Sequence, residues 1–245
     1  MRISSSAAQR LAPVAKIEIK MSIAMVLLMF GAAAVAGDLE KARDTQDRAT
    51  LERLAAQAMA EAQKKPADPG AQYRLALAES YIAEVAIEQR DKSQAHTAAE
   101  AGIEAAKRAV AMKADVAEYH RLYGTLCGQA VSANVLQGLK YGHCAQDEVN
   151  KALQLDPRSA MNYIGHGVGN YYLPPQFGGG IDPAIKDFEK AAELDPQSSE
   201  AHLWLGLALR KANRNAEARR EFQKSLDLNP ARVWTRQQLE KTPAQ

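Results

Sequence analysis

Leu155-Asp156-Pro157, Leu194-Asp195-Pro196 and Leu228-Asn229-Pro230 end three helix-like runs in the same way. Proline cannot continue a helix interior, because it lacks the N–H and its ring meets the preceding turn. A chain that stops on one signal at near-regular intervals is built from units. Weaker stops stand at Lys64-Lys65-Pro66 and Met112-Lys113-Ala114. Measured between residues 66, 114, 157, 196 and 230, the units run to 48, 43, 39 and 34 residues. Alanine is abundant, aromatics are few, and no long run alternates with period two, so the pattern predicts an all-α chain.

The last unit, Ser199 to Pro230, is the most regular. It holds two amphipathic helical patterns around a polar turn at Asn213 to Asn215. Gly206 and Ala208 sit in the first half; Ala218, Phe222 and Ser225 sit in the second. Small residues let two helices approach closely, and Phe222 fills the wedge between hairpins. This unit resembles the tetratricopeptide repeat (TPR), a helix–turn–helix of 34 residues. The third unit repeats the second half with Ala184, Phe188 and Ala191, and the second with Ala145, Val149 and Ala152. The first offers Gly102, Ala106 and Ala109. One hairpin cannot bury its apolar face alone, so the units must stack. The resemblance implies an α-solenoid of antiparallel helix hairpins, elongated toward the N-terminus and closed by a C-terminal capping helix. From Ala117 to Pro230 the chain is similar to exported bacterial TPR proteins, including the loop Leu173 to Pro183.

The expected layout is a secretion signal over residues 1–36, an N-terminal capping helix over 37–66, and a repeat domain over 67–245. Its hairpins cover about 67–114, 115–157, 158–196 and 197–230, with the cap over 231–241 and Trp234 as its anchor. Fourteen residues beyond the standard unit give the first hairpin about two extra turns per helix, roughly 10 Å. The signal rests on Arg2, Arg10, Lys16 and Lys20, the apolar run Met21 to Ala33, and Ala34-Val35-Ala36 as the cleavage site. An uncleaved anchor is the alternative, but a spanning helix needs about 20 apolar residues. Translation from Met21 would remove the basic residues. Cleavage leaves 27 basic and 28 acidic residues of the original 31 and 29. That balance argues against a nucleic-acid binder, which needs a basic patch. The expected address is periplasmic or secreted, with no stable membrane anchor after cleavage.

Cys127 and Cys144 are the only cysteines, and their midpoint falls in the expected turn Asn134 to Gly138. In an oxidising compartment they could bridge the hairpin; two buried free thiols are the other reading. Gly165-His166-Gly167-Val168-Gly169 looks superficially like a phosphate loop, but it lies within a helical pattern rather than after a strand. Its glycines read as points of close helix approach. Gly178 to Gly180 reads as a plain turn, with Asp182 as N-cap and Pro183 at the first helical position. His96, His120, His143, His166 and His202 show no metal-ligand spacing, and no nucleophile motif appears. No cofactor, metal or catalytic residue is expected, and the chain reads as a non-enzyme.

The resemblance implies a concave groove lined by the first helix of each hairpin, which takes a protein or peptide partner. Carried across by alignment, its positions are Tyr73, Leu77 and Tyr81; Arg121, Thr125 and Gln129; Ile164, Val168, Tyr171 and Tyr172; and Leu203, Leu207, Arg210 and Lys211. Tyrosine and arginine dominate interface hot spots. Burial of some of these positions by a cap or neighbouring hairpin is the competing reading. A second functional class is a helical carrier of a small apolar ligand, in a periplasmic uptake or envelope system, with the array curled around an internal pocket.

Overall fold

The computed structural model describes residues 37–244. The helical array belongs to the unit Leu39–Gln245. The expected secretion signal lies outside the described residues. Helical residues 37–44 (α1) are followed by α2 (Arg48–Lys64), α3 (Pro69–Glu88), α4 (Lys92–Met112), α5 (Ala117–Ala133) and α6 (Gly138–Leu155). Then come α7 (Ala160–Tyr172), α8 (Ile181–Leu194), α9 (Ser199–Lys211), α10 (Asn215–Leu228) and α11 (Val233–Glu240). Short 3₁₀ turns occupy Val135–Gln137 and Pro175–Phe177. Among the described residues there is no strand. The fold is an all-α TPR solenoid in which α3–α4, α5–α6, α7–α8 and α9–α10 form successive hairpins.

Side-chain caps start several of the helices. Asp68, Ser159 and Ser198 accept from the backbone N–H groups of Gly70, Asn162 and Ala201, which satisfies donors that a helix N-terminus leaves open. Three hairpin turns close by one device. Gln46, Arg90 and Asn213 adopt positive φ. In each case the next residue donates back to the helix, Asp47 to Ala42, Asp91 to Ala86 and Arg214 to Leu209. This is the Schellman closure, here without glycine.

Glycines set the spacing inside each hairpin. A Cβ on Gly206 would stand 2.7 Å from the Phe222 ring, one on Gly167 2.5 Å from Phe188, and one on Gly124 2.6 Å from Val149. Gly124, Gly167 and Gly206 recur at 43 and 39 residues, the intervals that separate the helix stops. The glycine-rich run of α7 is therefore a packing feature at Gly167. The lengthening of the first hairpin is also plain: α3 has 20 residues and α4 has 21, against 13 in α9 and 14 in α10. Seven extra residues add about two turns, or roughly 10 Å.

Two expectations are corrected. Residues 37–64 do not form one capping helix: the turn at Thr45–Asp47 makes α1 and α2 a hairpin. Asp47 accepts from Thr50 N–H and starts α2. At the other loop Asp182 is not the N-cap of α8. The helix begins one residue earlier, at Ile181, behind Gly180, whose φ of 123° only glycine adopts readily.

Candidate inner wall and aromatic shelf

Neighbouring A helices touch along the array, α3 to α5, α5 to α7 and α7 to α9. The B helices α4, α6, α8 and α10 stand farther apart, so the wall curves toward the A side. The chain itself fills much of that side. Leu39 and Ala42 of α1 join the core cluster that contains Leu75, with Leu77 and Tyr81 packed against it. The Arg43 guanidinium lies 5.0 Å from the Tyr81 ring centroid, a cation–π contact.

A buried ion cluster closes the array. Arg232, at 0% exposure, donates to Glu84 and Glu88 of α3 at 2.6 Å each and to Glu200 of α9 at 3.1 Å. Arg43 reaches Glu200 at 3.2 Å and Asp44 at 2.6 Å. Asn229 donates to Asp44 at 2.7 Å, and Gln46 donates to Glu88 at 2.8 Å. The last hairpin is thus tied to the first. Four carboxyl groups share two guanidinium groups, and the balance shows in their proton affinities. Burial, against the pull of Arg43 and Arg232, raises Glu84. Burial likewise pushes Glu88 up to about 7, against Arg232. Glu200 goes the other way: burial opposes, but Arg43 and Arg232 hold it below the usual carboxylate range.

The fourteen groove positions meet different fates. Tyr73 donates to Glu118 at 2.8 Å and stacks on Tyr119, while Arg121 is buried in a two-pronged pair with the same Glu118. Gln129 is tied to Ser80, and Thr125 is half-buried. Ile164, Leu203 and Leu207 are buried core residues, and Val168 packs against that core. Arg210 donates to Gln238 and Thr242, holding the cap α11 in place.

Tyr171, Tyr172 and Lys211 come together. Lys211 donates to the Tyr171 carbonyl at 2.8 Å and lies over its ring. Tyr171 and Tyr172 meet edge to face with each other and with Trp204. Trp204 in turn stacks on Phe188 and meets Trp234 of α11 at 5.7 Å. Tyr172 keeps 52% of its surface exposed. The result is an aromatic shelf with a cation at its edge. Trp204 belongs to it and was not among the groove positions; its place beside the two tyrosines is set by tertiary packing.

Each of the last three hairpins carries a histidine–carboxylate pair between its helices: His120–Glu148 at 2.6 Å, His166–Asp187 at 2.8 Å and His202–Glu221 at 2.7 Å. Asn170 also donates to Asp187. The repetition makes these pairs hairpin fasteners. A disulfide joins Cys127 of α5 to Cys144 of α6, with Cα atoms 6.0 Å apart. Among the described residues no cluster could hold a metal ion, and no helix is long and apolar enough to cross a membrane.

Residues 36–173 match the family model described as regulator of microtubule dynamics protein 1-3. Residues 199–232 match the tetratricopeptide repeat model. The chain is similar to regulator of microtubule dynamics protein 3 of Bos taurus, at 27% identity over 173 residues, or 64% of this chain. It spans only 36% of that relative's length. A thermophilic TPR protein of Thermus thermophilus superposes with a TM-score of 0.60 at 17% identity, over 84% of this chain and 97% of that one. That likeness concerns the fold.

Proposed function

The chain belongs to the regulator of microtubule dynamics protein 1-3 family, and we propose that it is a non-enzymatic scaffold that holds a partner protein on its aromatic shelf. The TPR fold is an interaction scaffold, typically non-enzymatic, and its members bind proteins or peptides. The observation that carries the site is Tyr172, half exposed at the rim of a five-ring cluster beside Lys211. Large rigid aromatics with an adjacent cation make strong contact area at low entropic cost. The inner wall near Tyr81 is a poorer site, because α1 already covers it.

The bovine relative's name concerns microtubule dynamics, and this chain matches about a third of it. The proposal carries over protein binding alone. It also includes export: the basic and apolar stretches before residue 37 suit a secretion signal, and the Cys127–Cys144 bridge suits an oxidising compartment.

Affinity capture from the source organism's own extract, with the full chain as bait, tests the shelf. Tyr172→Ala combined with Lys211→Glu is expected to lower recovery of the principal partner roughly tenfold or more. Unchanged recovery overturns the assignment.

A further inference from the structure

The outer side of the first long hairpin carries a site that the shelf does not use. Helices α2 and α4 both lie on α3. They meet at one end, where Gln94 donates to Glu52 at 2.8 Å and Arg48 pairs with Asp91 at 2.9 Å. Beyond that they diverge, leaving a cavity of about 410 Å³. Met59 and Ala62 of α2, Leu75 of α3 and Ala101 of α4 make its walls mainly apolar. The size and character fit a small-molecule pocket, which is typically an apolar cleft of about 300–1,000 Å³ with a few polar groups.

The polar groups are informative. Gln72 accepts from Arg108 Nε at 2.8 Å and donates to the Ala62 carbonyl at 3.3 Å, so both of its ends are used. Glu79 lines the same cavity at only 8% exposure. Among the described residues its carboxyl accepts no hydrogen bond and has no cation within ion-pair distance. Burial alone pushes its pKa up to about 7. Its oxygens are not sealed in the core but open onto the cavity, where a bound molecule can meet them. Other largely buried acids described above have partners: Asp44, Glu84, Glu88 and Glu200 have arginine, and Asp187 has His166 and Asn170.

We propose that this cavity binds a small amphiphile whose ammonium head pairs with Glu79 and whose apolar body lies along Met59, Ala62, Leu75 and Ala101. An ammonium supplies the donors and the charge that the carboxyl lacks, and charge-assisted bonds are about twice as strong as neutral ones. Arg108, the only other ionisable group lining the cavity, donates through its Nε to Gln72.

The test is calorimetric titration of the full chain with octylamine, octanol and octanoate, which share a tail and differ in head group. Octylamine is expected to bind about tenfold or more tighter than octanol at pH 7.5, as a single charge-assisted bond implies. Glu79→Gln is expected to remove that advantage and leave octanol binding unchanged. In the unmodified protein, octylamine affinity should rise about tenfold from pH 6 to pH 8, as a carboxyl titrating near 7 ionises. That profile does not depend on the variant folding. Equal binding of amine and alcohol, a flat pH profile or an unaffected Glu79→Gln variant each overturns the proposal. A preference for octanoate assigns the cavity to Arg108 and overturns it too.

Discussion

Arg232 shows how much one side chain can be asked to hold. It is wholly buried, and it faces Glu84, Glu88 and Glu200 at once. Removing one partner of a buried ion pair is far more costly than the pair's net worth, because the other charge is left in a poor solvent. Arg232→Met is therefore expected to destabilise the fold by about 3–5 kcal/mol, read from urea unfolding. Glu84→Gln, which removes an excess acid, should cost much less. None of this was legible beforehand: Arg232 lies 144 and 148 residues from its partners on α3. Ile164, Leu203 and Leu207 also diverge from the groove expectation. Alignment gave their helix positions correctly but could not show that neighbouring helices, rather than a guest, cover them.

At the scale of the element, the glycines of the A helices separate into two kinds. Gly206 touches Phe222, whereas nothing lies within 4 Å of a Cβ built on Gly169. Gly206→Ala is expected to cost about 1–3 kcal/mol by overpacking, even though alanine is the better helix former by about 1 kcal/mol. Gly169→Ala should instead raise stability by about 0.5–1 kcal/mol. Thermal or urea unfolding of the two variants distinguishes them. The hairpin stops, the long first hairpin and the small-residue contacts could all be read from spacing, because proline and glycine act locally. The break between α1 and α2 could not. Gln46 takes the left-handed position that glycine usually marks, so the apolar pattern runs through the turn without a sign. The histidine fasteners escaped for a different reason. Their separations of 28, 21 and 19 residues follow variable loop lengths rather than a fixed motif.

Across the whole molecule, three buried carboxyls with raised proton affinity, Glu79, Glu84 and Glu88, tilt the stability profile. Glu79 and Glu88 have folded pKa values of about 7 against an ordinary 4.5. The folded state therefore holds more protons than the unfolded state between those values, and stability falls as pH rises through that window. Above pH 7 an ionised Glu79 costs on the order of 3 kcal/mol. The urea midpoint is expected to drop from pH 5 to pH 8, and Glu79→Gln should remove part of the drop. A midpoint that climbs over this range contradicts the burial of these groups.

The first and last hairpins, fastened through Arg43 and Arg232, leave α1 against the inner wall and the shelf open at its rim. Photo-crosslinking reads this division directly. A photoreactive phenylalanine analogue placed at Tyr172 or at Tyr81 in the full chain is irradiated with the captured partner, and the products are mapped by mass spectrometry. The account predicts a partner crosslink from position 172, and from position 81 only a link within the chain to α1. Partner crosslinks from position 81 with none from position 172 would contradict it.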